Sequence, residues 1–220
     1  MIYQEMVVAV GYARGKVGRF AEKLGYVCND KFLDNGFVQG NLDIEKFKKK
    51  LQFEEETLKK RKIVVILPDY HIEESLQLIS QVRIPIWVYP LHKREELNHF
   101  EKKDVWLGFP HKRHDKRNGV DLGRDYSLKW YLKNVSKKRW WMGLWDDTKL
   151  DYLKYFDGFD TTMFYFLCTK QGSTWTGWGR RKKAGIWKSG TEILKESFVN
   201  FRKYLLKKGI EIKDFQEGIL

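Results

Sequence analysis

Short apolar runs alternate with longer charged or amphipathic stretches along most of the chain. Apolar runs rich in β-branched and aromatic residues are typical of strands. The run Ile63–Leu67 (IVVIL) has no polar position, which is typical of a strand buried on both faces of a parallel sheet. The pattern predicts strands at Met6–Val10, Lys31–Asp34, Ile63–Leu67, Ile84–Tyr89, Val105–Phe109, Trp140–Leu144 and Gly158–Met163.

The stretches between these runs place their apolar residues at helical spacing. Asp43 stands where a helix N-cap is expected. Because strand and helix alternate, the pattern predicts an α/β fold with a parallel sheet, as a closed barrel or an open doubly wound sheet. The predicted helices are Lys16–Leu24, Asp43–Arg61, Glu73–Val82, Lys93–Lys102, Tyr126–Val135, Thr148–Phe156 and Thr191–Lys208.

The barrel is favoured over the open sheet. No phosphate-binding GxGxxG follows the first strand, because the segment Gly11–Gly15 (GYARG) does not fit that pattern. We expect one domain over residues 1–220, a compact (β/α)8-type (TIM-like) barrel with a C-terminal helix. Since such barrels normally take ~250 residues, this one is expected to be small or incomplete.

The charge balance indicates a polyanionic partner. The chain has 42 Lys and Arg against 29 Asp and Glu, which gives a net charge of +13 and a pI of about 9.5. Such a charge favours nucleic acid, because each phosphate that a basic side chain neutralises releases condensed counterions. The alternative is that the lysines only solvate the surface.

The sequence shows no sign of export, membrane insertion or a metal centre. No apolar run approaches the ~20 residues of a membrane span, and Met1–Glu5 does not begin a secretory signal. We expect a cytoplasmic protein without a membrane partner, in which Cys28 and Cys168 are buried free thiols. The five histidines lack ligand spacing, so neither a metal nor another cofactor is expected.

Two basic loops are candidates for nucleic-acid contact. His111–Arg117 (HKRHDKR) follows a predicted strand, and Gln171–Lys183 (QGSTWTGWGRRKK) interleaves Gly, Trp and basic residues. Aromatic faces beside guanidinium groups form surfaces that stack on unpaired bases and bind phosphates. A solvated charged loop is the alternative for either segment. The candidate residues are Lys112, Arg113, Lys116, Arg117, Trp175, Trp178, Arg180, Arg181 and Lys182.

Three aspartates, Asp34, Asp69 and Asp160, each lie at the end of a predicted strand. In a parallel barrel, residues just past the strands line the mouth where active sites lie. Each aspartate also has a local structural alternative: a turn residue for Asp34, a helix N-cap for Asp69 and a strand-end cap for Asp160. Because all three share one position of the strand–helix unit, the pattern predicts carboxylate chemistry.

The segment Trp140–Thr176 resembles the late part of tRNA-guanine transglycosylases. In that family a strand ending in Met-Gly precedes a helix and a Val-Asp-x-Phe-Asp strand, whose second aspartate is the nucleophile. Met142 and Gly143 match the strand of the base pocket, and Asp157 and Asp160 match the two aspartates. The resemblance implies that Asp160 is the catalytic nucleophile and that Met142 and Gly143 bind substrate.

Three motifs that lie earlier in the chain occur in the same order as in this family. Phe32–Asn41 (FLDNGFVQGN) resembles its Asp-Ser-Gly-Gly-Phe-Gln motif, which implies that Asp34 is the general acid and base. Val64–Asp69 (VVILPD) resembles the strand whose aspartate hydrogen-bonds the guanine edge, so Asp69 is the implied base reader. Val105–Pro110 (VWLGFP) resembles the strand whose glycine floors the pocket.

The resemblance covers about residues 31–179 and implies further members of the substrate site. The glycine of the pocket floor is Gly108, and the aromatic residues Phe37, Tyr70 and Tyr89 are candidates for stacking on the base. For each aromatic residue, ordinary packing is the alternative.

The chain departs from the family in three places. The zinc-binding tail is absent, the family's Gly-Gly is Gly36–Phe37, and its Gln-Gly strand is replaced by Val88–His92 (VYPLH). These departures resemble the shortened relatives, often carried by viruses and mobile elements, that exchange guanine for a 7-deazaguanine in DNA. The implied partners are DNA or tRNA, a free deazaguanine base, and a second copy or a partner subunit. The polymer and the inserted base stay open.

Three other functions compete with base exchange. The same carboxylates suit a base-removing glycosidase or a barrel hydrolase acting on another substrate. High charge and small size also suit a nucleic-acid-binding protein on a degenerate barrel that no longer catalyses a reaction. The last alternative is a plain α/β protein whose charge reflects composition alone.

Overall fold

The computed structural model describes residues 4–11, 13–28, 31–35, 43–56, 62–110, 116–117, 120–121, 123–144, 147–165, 168, 172–177, 180–183 and 189–213. The chain divides into two compact units. The terminal unit combines Met1–Asn29 with Gly143–Leu220, and the central unit is Asp30–Met142.

The strands and helices follow one another along the chain as an alternating series. The strands include β1 (Gln4–Val10), β2 (Phe32–Leu33), β3 (Val64–Ile66), β4 (Ile86–Pro90), β5 (Trp106–Pro110), β6 (Lys116–Arg117), β7 (Val120–Asp121), β8 (Arg139–Met142), β9 (Gly158–Thr161), β10 (Ser173–Gly177), β11 (Arg180–Lys183) and β12 (Ile210–Ile212). The helices include α1 (Gly15–Glu22), α2 (Ile44–Glu56), α3 (Ile72–Gln81), α4 (Leu97–Phe100), α5 (Leu128–Asn134) and α6 (Gly190–Lys207), with 3-10 helices at Arg94–Glu96 and Asp147–Tyr155.

In the central unit, five strands form a parallel sheet in the order β8-β5-β4-β3-β2. All residues of β3 and β4 are buried. This explains why the sequence of these strands is apolar without alternation, since both faces of a parallel sheet are covered. The carboxyl ends of β2, β3 and β4 therefore lie side by side at one edge of the sheet.

In the terminal unit, β1 lies between β12 and β9, and both pair with it in parallel. The hairpin β10–β11 is antiparallel. The core of this unit is aromatic: the ring centroid of Phe201 on α6 lies 5.1 Å from both Phe164 and Trp175 and 6.0 Å from Phe159. Helix α6 is thus anchored to the rest of the unit by edge-on aromatic contacts.

These strands confirm the predicted α/β class and the parallel arrangement, whereas closure into a (β/α)8 barrel and the single domain stay predictions. The N-cap prediction is confirmed, because the carboxylate of Asp43 accepts a hydrogen bond of 2.9 Å from the backbone N–H of Lys46. The hairpins β6–β7 and β10–β11 and the strand β12 were not predicted. The helix predicted at Thr148–Phe156 is a 3-10 helix, Asp147–Tyr155.

Two predictions that rest on composition can be compared with the described residues. Cys28 and Cys168 are both buried and are not joined in a disulfide, as expected. Among the described helices, none combines the length and the apolar character that crossing a bilayer requires.

Replacing Phe201 by alanine is expected to cost about 3–5 kcal/mol of unfolding free energy, because it leaves a cavity among the aromatic rings of the terminal unit. Phe53→Ala is the matched control, since this phenylalanine is 55% exposed and its loss should change stability by less than about 0.5 kcal/mol. Urea unfolding followed by circular dichroism measures both. Equal costs for the two variants would contradict the aromatic core.

Candidate functional site

Asp160 lies on β9 in the terminal unit, paired with Ala9 of β1. Its neighbours Phe159 and Thr161 are fully buried, whereas Asp160 itself is partly exposed. Because side chains alternate across a strand, the carboxylate emerges on the face opposite to these two core residues. The aspartate is therefore accessible on an otherwise buried strand.

The backbone around Gly143 orients the Asp160 carboxylate. The N–H of Gly143 donates a hydrogen bond of 3.1 Å to Oδ2 of Asp160, and the N–H of Leu144 donates one of 2.9 Å to its carbonyl oxygen. Gly143 has φ +62°, a left-handed conformation that favours glycine. The hydroxyl of Thr161 donates a bond of 2.8 Å to the carbonyl of Leu144, which ties this segment to β9.

Asp69 follows β3 in the central unit and is only 4% exposed. Its Oδ1 lies 2.7 Å from Nε2 of His92, and its Oδ2 accepts a hydrogen bond of 2.9 Å from Nδ2 of Asn35. Asn35 follows β2 and His92 follows β4. Residues after three neighbouring strands thus meet at one buried carboxylate.

His92 has an acceptor at each ring nitrogen. Nε2 faces the Asp69 carboxylate, and Nδ1 lies 2.8 Å from the carbonyl oxygen of Gly123. A carbonyl oxygen accepts only, so Nδ1 carries the proton of that hydrogen bond, and the ring is an imidazolium when Nε2 carries a second one. Burial by itself lowers the pKa of His92, but the hydrogen bond and charge of Asp69, helped by Gly123 and Glu96, raise it above its ordinary 6.5.

Two further side chains enclose this pair. The ring of Tyr70 stacks on His92, with 4.5 Å between centroids and 22° between planes, and Tyr70 adopts the left-handed φ of +61°. Oε2 of Glu96 accepts hydrogen bonds from the backbone N–H groups of His92 and Lys93, at 2.8 and 3.0 Å. Burial raises the pKa of Glu96 above its usual value, although these two donors oppose the shift.

Gly108 and Met142 come together on the paired strands β5 and β8. A Cβ atom at position 108 would lie 2.7 Å from Sδ of Met142 and 3.2 Å from the carbonyl oxygen of Tyr89. A larger residue at position 108 would therefore displace the Met142 side chain. This close approach is a packing reason for the glycine, independent of any ligand.

For the other predicted site residues, the structure gives only a position in the fold, or the residue lies outside the described part of the chain. Asp34 is exposed at the end of β2. Phe37, Lys112, Arg113 and Trp178 lie outside the described residues. The predicted nucleic-acid contacts Lys116 and Arg117 form strand β6, and Arg180, Arg181 and Lys182 belong to strand β11.

Trp175 is a correction to the predicted stacking surface, because its side chain is only 1% exposed. Its ring packs edge-on against Phe164, Phe201 and Tyr204. Its backbone N–H donates a bond of 3.0 Å to the hydroxyl of Ser197 on α6. The tryptophan joins β10 to the core and offers no face to a base.

Sequence reasoning missed the three polar partners of the Asp69 cluster, Asn35, His92 and Glu96. All three are at most 6% exposed. A usable signal was present for His92, since it stands two residues beyond the apolar strand β4, just as Asp69 stands soon after β3. Buried polar residues need partners, so two such residues on adjacent parallel strands are candidates for a mutual contact.

The described part of the chain holds no group of three His, Cys, Asp or Glu side chains placed to share a metal ion. In comparisons with protein families and with curated proteins, no family and no curated protein matched the chain.

Replacing Gly143 by alanine is expected to destabilise the protein by about 1–2 kcal/mol, because alanine is strained at a left-handed φ. The cause is conformation alone, since an added Cβ would meet nothing within 4 Å. Gly190→Ala is the matched control: it also has open space and lies at the start of α6 without a positive φ. Denaturant unfolding should show a cost only at position 143, and equal effects would argue against the strained turn.

The buried imidazolium predicts how stability depends on pH. Because the folded pKa of His92 is raised above 6.5, its stabilisation is complete below 6.5 and is lost as pH rises through the folded pKa. Glu96, whose pKa is also raised, adds a loss that starts at its ordinary 4.5. The stability advantage of the wild type over His92→Gln should therefore shrink as pH rises above 6.5, as measured by urea unfolding. An advantage that grows with pH would contradict the imidazolium.

Proposed function

We propose that the chain is a guanine transglycosylase-like enzyme that exchanges a base in nucleic acid, with Asp160 as the nucleophile. The observation that carries the proposal is the partly exposed Asp160 carboxylate on β9, oriented by the N–H of Gly143. A carboxylate that the backbone holds in one orientation loses little freedom when it attacks a substrate, which favours covalent catalysis. The fold behind this proposal is the incomplete (β/α)8-type barrel that the sequence predicts.

The reaction proceeds in two displacements, like that of a retaining glycosidase. An oxygen of Asp160 forms a bond to C1′ of the nucleotide as the C1′–N9 bond to guanine breaks, and the electron pair leaves with N9. Asp34 then supplies the proton that the leaving purine takes up. The incoming base, deprotonated by Asp34, attacks C1′ in the second step and releases the Asp160 carboxylate.

Asp69 reads the guanine edge in this proposal, and its environment limits how it does so. Both carboxylate oxygens already accept hydrogen bonds, from His92 and from Asn35, although a carboxylate offers about four lone-pair positions in all. Because Asp69 is only 4% exposed, a base reaches it only if a covering group moves. Tyr70, which stacks on the neighbouring His92 ring and is partly exposed, is the side chain that we expect to move.

The positive charge of the chain supports a polymeric substrate. A net charge of +13 attracts the phosphate backbone, and the resulting binding energy offsets the cost of unstacking the target nucleotide, about a few kcal/mol. DNA and tRNA are both substrates to test, with a free 7-deazaguanine as the incoming base.

The direct test incubates the protein with radiolabelled guanine and either tRNA or duplex DNA, and measures label retained in the polymer. Asp160→Asn should lower incorporation by at least about 10³-fold, because the amide is a poor nucleophile. Asp151→Asn, the same change at an exposed residue of the terminal unit, is the control and should leave incorporation unchanged. Incorporation that survives in Asp160→Asn would refute the nucleophile.

The same assay separates exchange from base removal. A glycosidase would release guanine from prelabelled polymer and incorporate none. Denaturing the wild type with substrate, without an incoming base, should leave a covalent complex between the nucleic acid and Asp160 that gel electrophoresis detects.

A second candidate function is nucleic-acid binding without catalysis. The observation in its favour is that both Asp69 oxygens already form hydrogen bonds within the protein. An aspartate with a purely structural role would form the same bonds. Binding of DNA or RNA with a steep salt dependence, equal in wild type and Asp160→Asn and without incorporation of guanine by either, would support this function.

A further inference from the structure

We propose that His92 is a positioning residue for Asp69, whose imidazolium holds this carboxylate in the orientation from which it reads a base. The inference rests on the proposed function, in which Asp69 is the base reader. It adds a residue that neither the strand pattern nor the resemblance assigned.

The two hydrogen bonds of His92 define its role. The ring is anchored through Nδ1 to the carbonyl of Gly123, so Nε2 is directed at Oδ1 of Asp69, 2.7 Å away. Neither nitrogen is left to take a proton from a substrate, and the residue is 3% exposed. His92 therefore acts through Asp69 and is not itself an acid or base of the reaction.

The location of the proton decides what Asp69 can do. With the proton on His92, both oxygens of Asp69 accept, as required for contacts to the N1–H and exocyclic amine of guanine. With the proton on Asp69, the carboxyl group becomes a donor at Oδ1 and loses this complementarity. If the pair loses its proton altogether, the one remaining ring proton can serve only one acceptor, so a ring lone pair faces either the Asp69 carboxylate or the Gly123 carbonyl.

The groups around His92 favour the charged ring. Asp69 faces it from the end of β3, and Glu96 lies behind it on the 3-10 helix Arg94–Glu96 and accepts its backbone N–H. Tyr70 covers one face of the ring, and the Tyr89 hydroxyl, whose pKa burial and these same carboxylates raise, stays neutral. Lys93, the next residue, is an exposed cation.

The consequence is a pH-dependent base site. Guanine affinity should be constant at acidic pH and fall as pH rises through the pKa of His92. His92→Gln retains a neutral donor for Asp69, so it should bind guanine with a smaller loss and without this pH dependence. His92→Phe removes both donors and should lose about 10- to 100-fold in affinity.

The experiment combines two measurements on the full chain. NMR titration of the histidine ring nitrogens determines whether His92 is an imidazolium, and the signal is assigned by its loss in His92→Gln. Calorimetric binding of free guanine, measured from about pH 5.5 to about pH 8.5, determines whether affinity follows that titration. His99→Gln, the same change at an exposed histidine of the central unit, is the control and should alter neither.

The outcomes are separable. A His92 pKa above 6.5 that Asp69→Asn lowers, together with guanine affinity that falls in step with it, supports the proposal. A neutral ring at about pH 6, or equal guanine affinity in wild type and in folded His92→Phe, overturns it. If the wild type binds no guanine while His92 is charged and coupled to Asp69, the proposed function fails. The inference that His92 positions Asp69 is then still supported.

Discussion

Burying a carboxylate is costly unless donors surround it, and the arrangement around Asp69 meets that requirement. Its donors come from Asn35 after β2 and from His92 after β4, so one buried carboxylate joins the ends of three neighbouring strands. Removing one partner of a buried ion pair typically costs about 3–5 kcal/mol, because the other charge stays buried. The loops that follow these strands therefore have little freedom to rearrange independently.

Asp160 is held by a hydrogen bond from the backbone. Its carboxylate is oriented by a backbone N–H, and that N–H is available because Gly143 takes a left-handed conformation directly after β8. The Gly143 N–H is an uncharged backbone donor, in contrast to a charged side chain. It also leaves Asp160 partly exposed. Asp69 and Asp160 thus differ in their surroundings: Asp69 is enclosed and paired with an imidazole ring, whereas Asp160 is partly exposed.

Much of the fold could be predicted because hydrophobic burial governs it. Strands β3 and β4 are buried throughout, and their unbroken apolar runs reveal this directly. The hairpin β10–β11 was missed because its residues mix glycine, polar and basic side chains, and the same mixture made Trp175 resemble a surface residue. The strand-end position of Asp69 was predictable, but its pairing with His92 depends on tertiary contact between residues 23 positions apart.

In the sequence comparison, the segment Val88–His92 stands where the transglycosylase pattern has a Gln-Gly strand. This segment supplies His92, whose Nε2 lies 2.7 Å from the carboxylate of the proposed base reader, Asp69. A glutamine donor is neutral at every pH, whereas an imidazolium adds a charge and a titration. If Asp69 reads a base, the different sequence of Val88–His92 changes which side chain positions Asp69 and is compatible with a working base site.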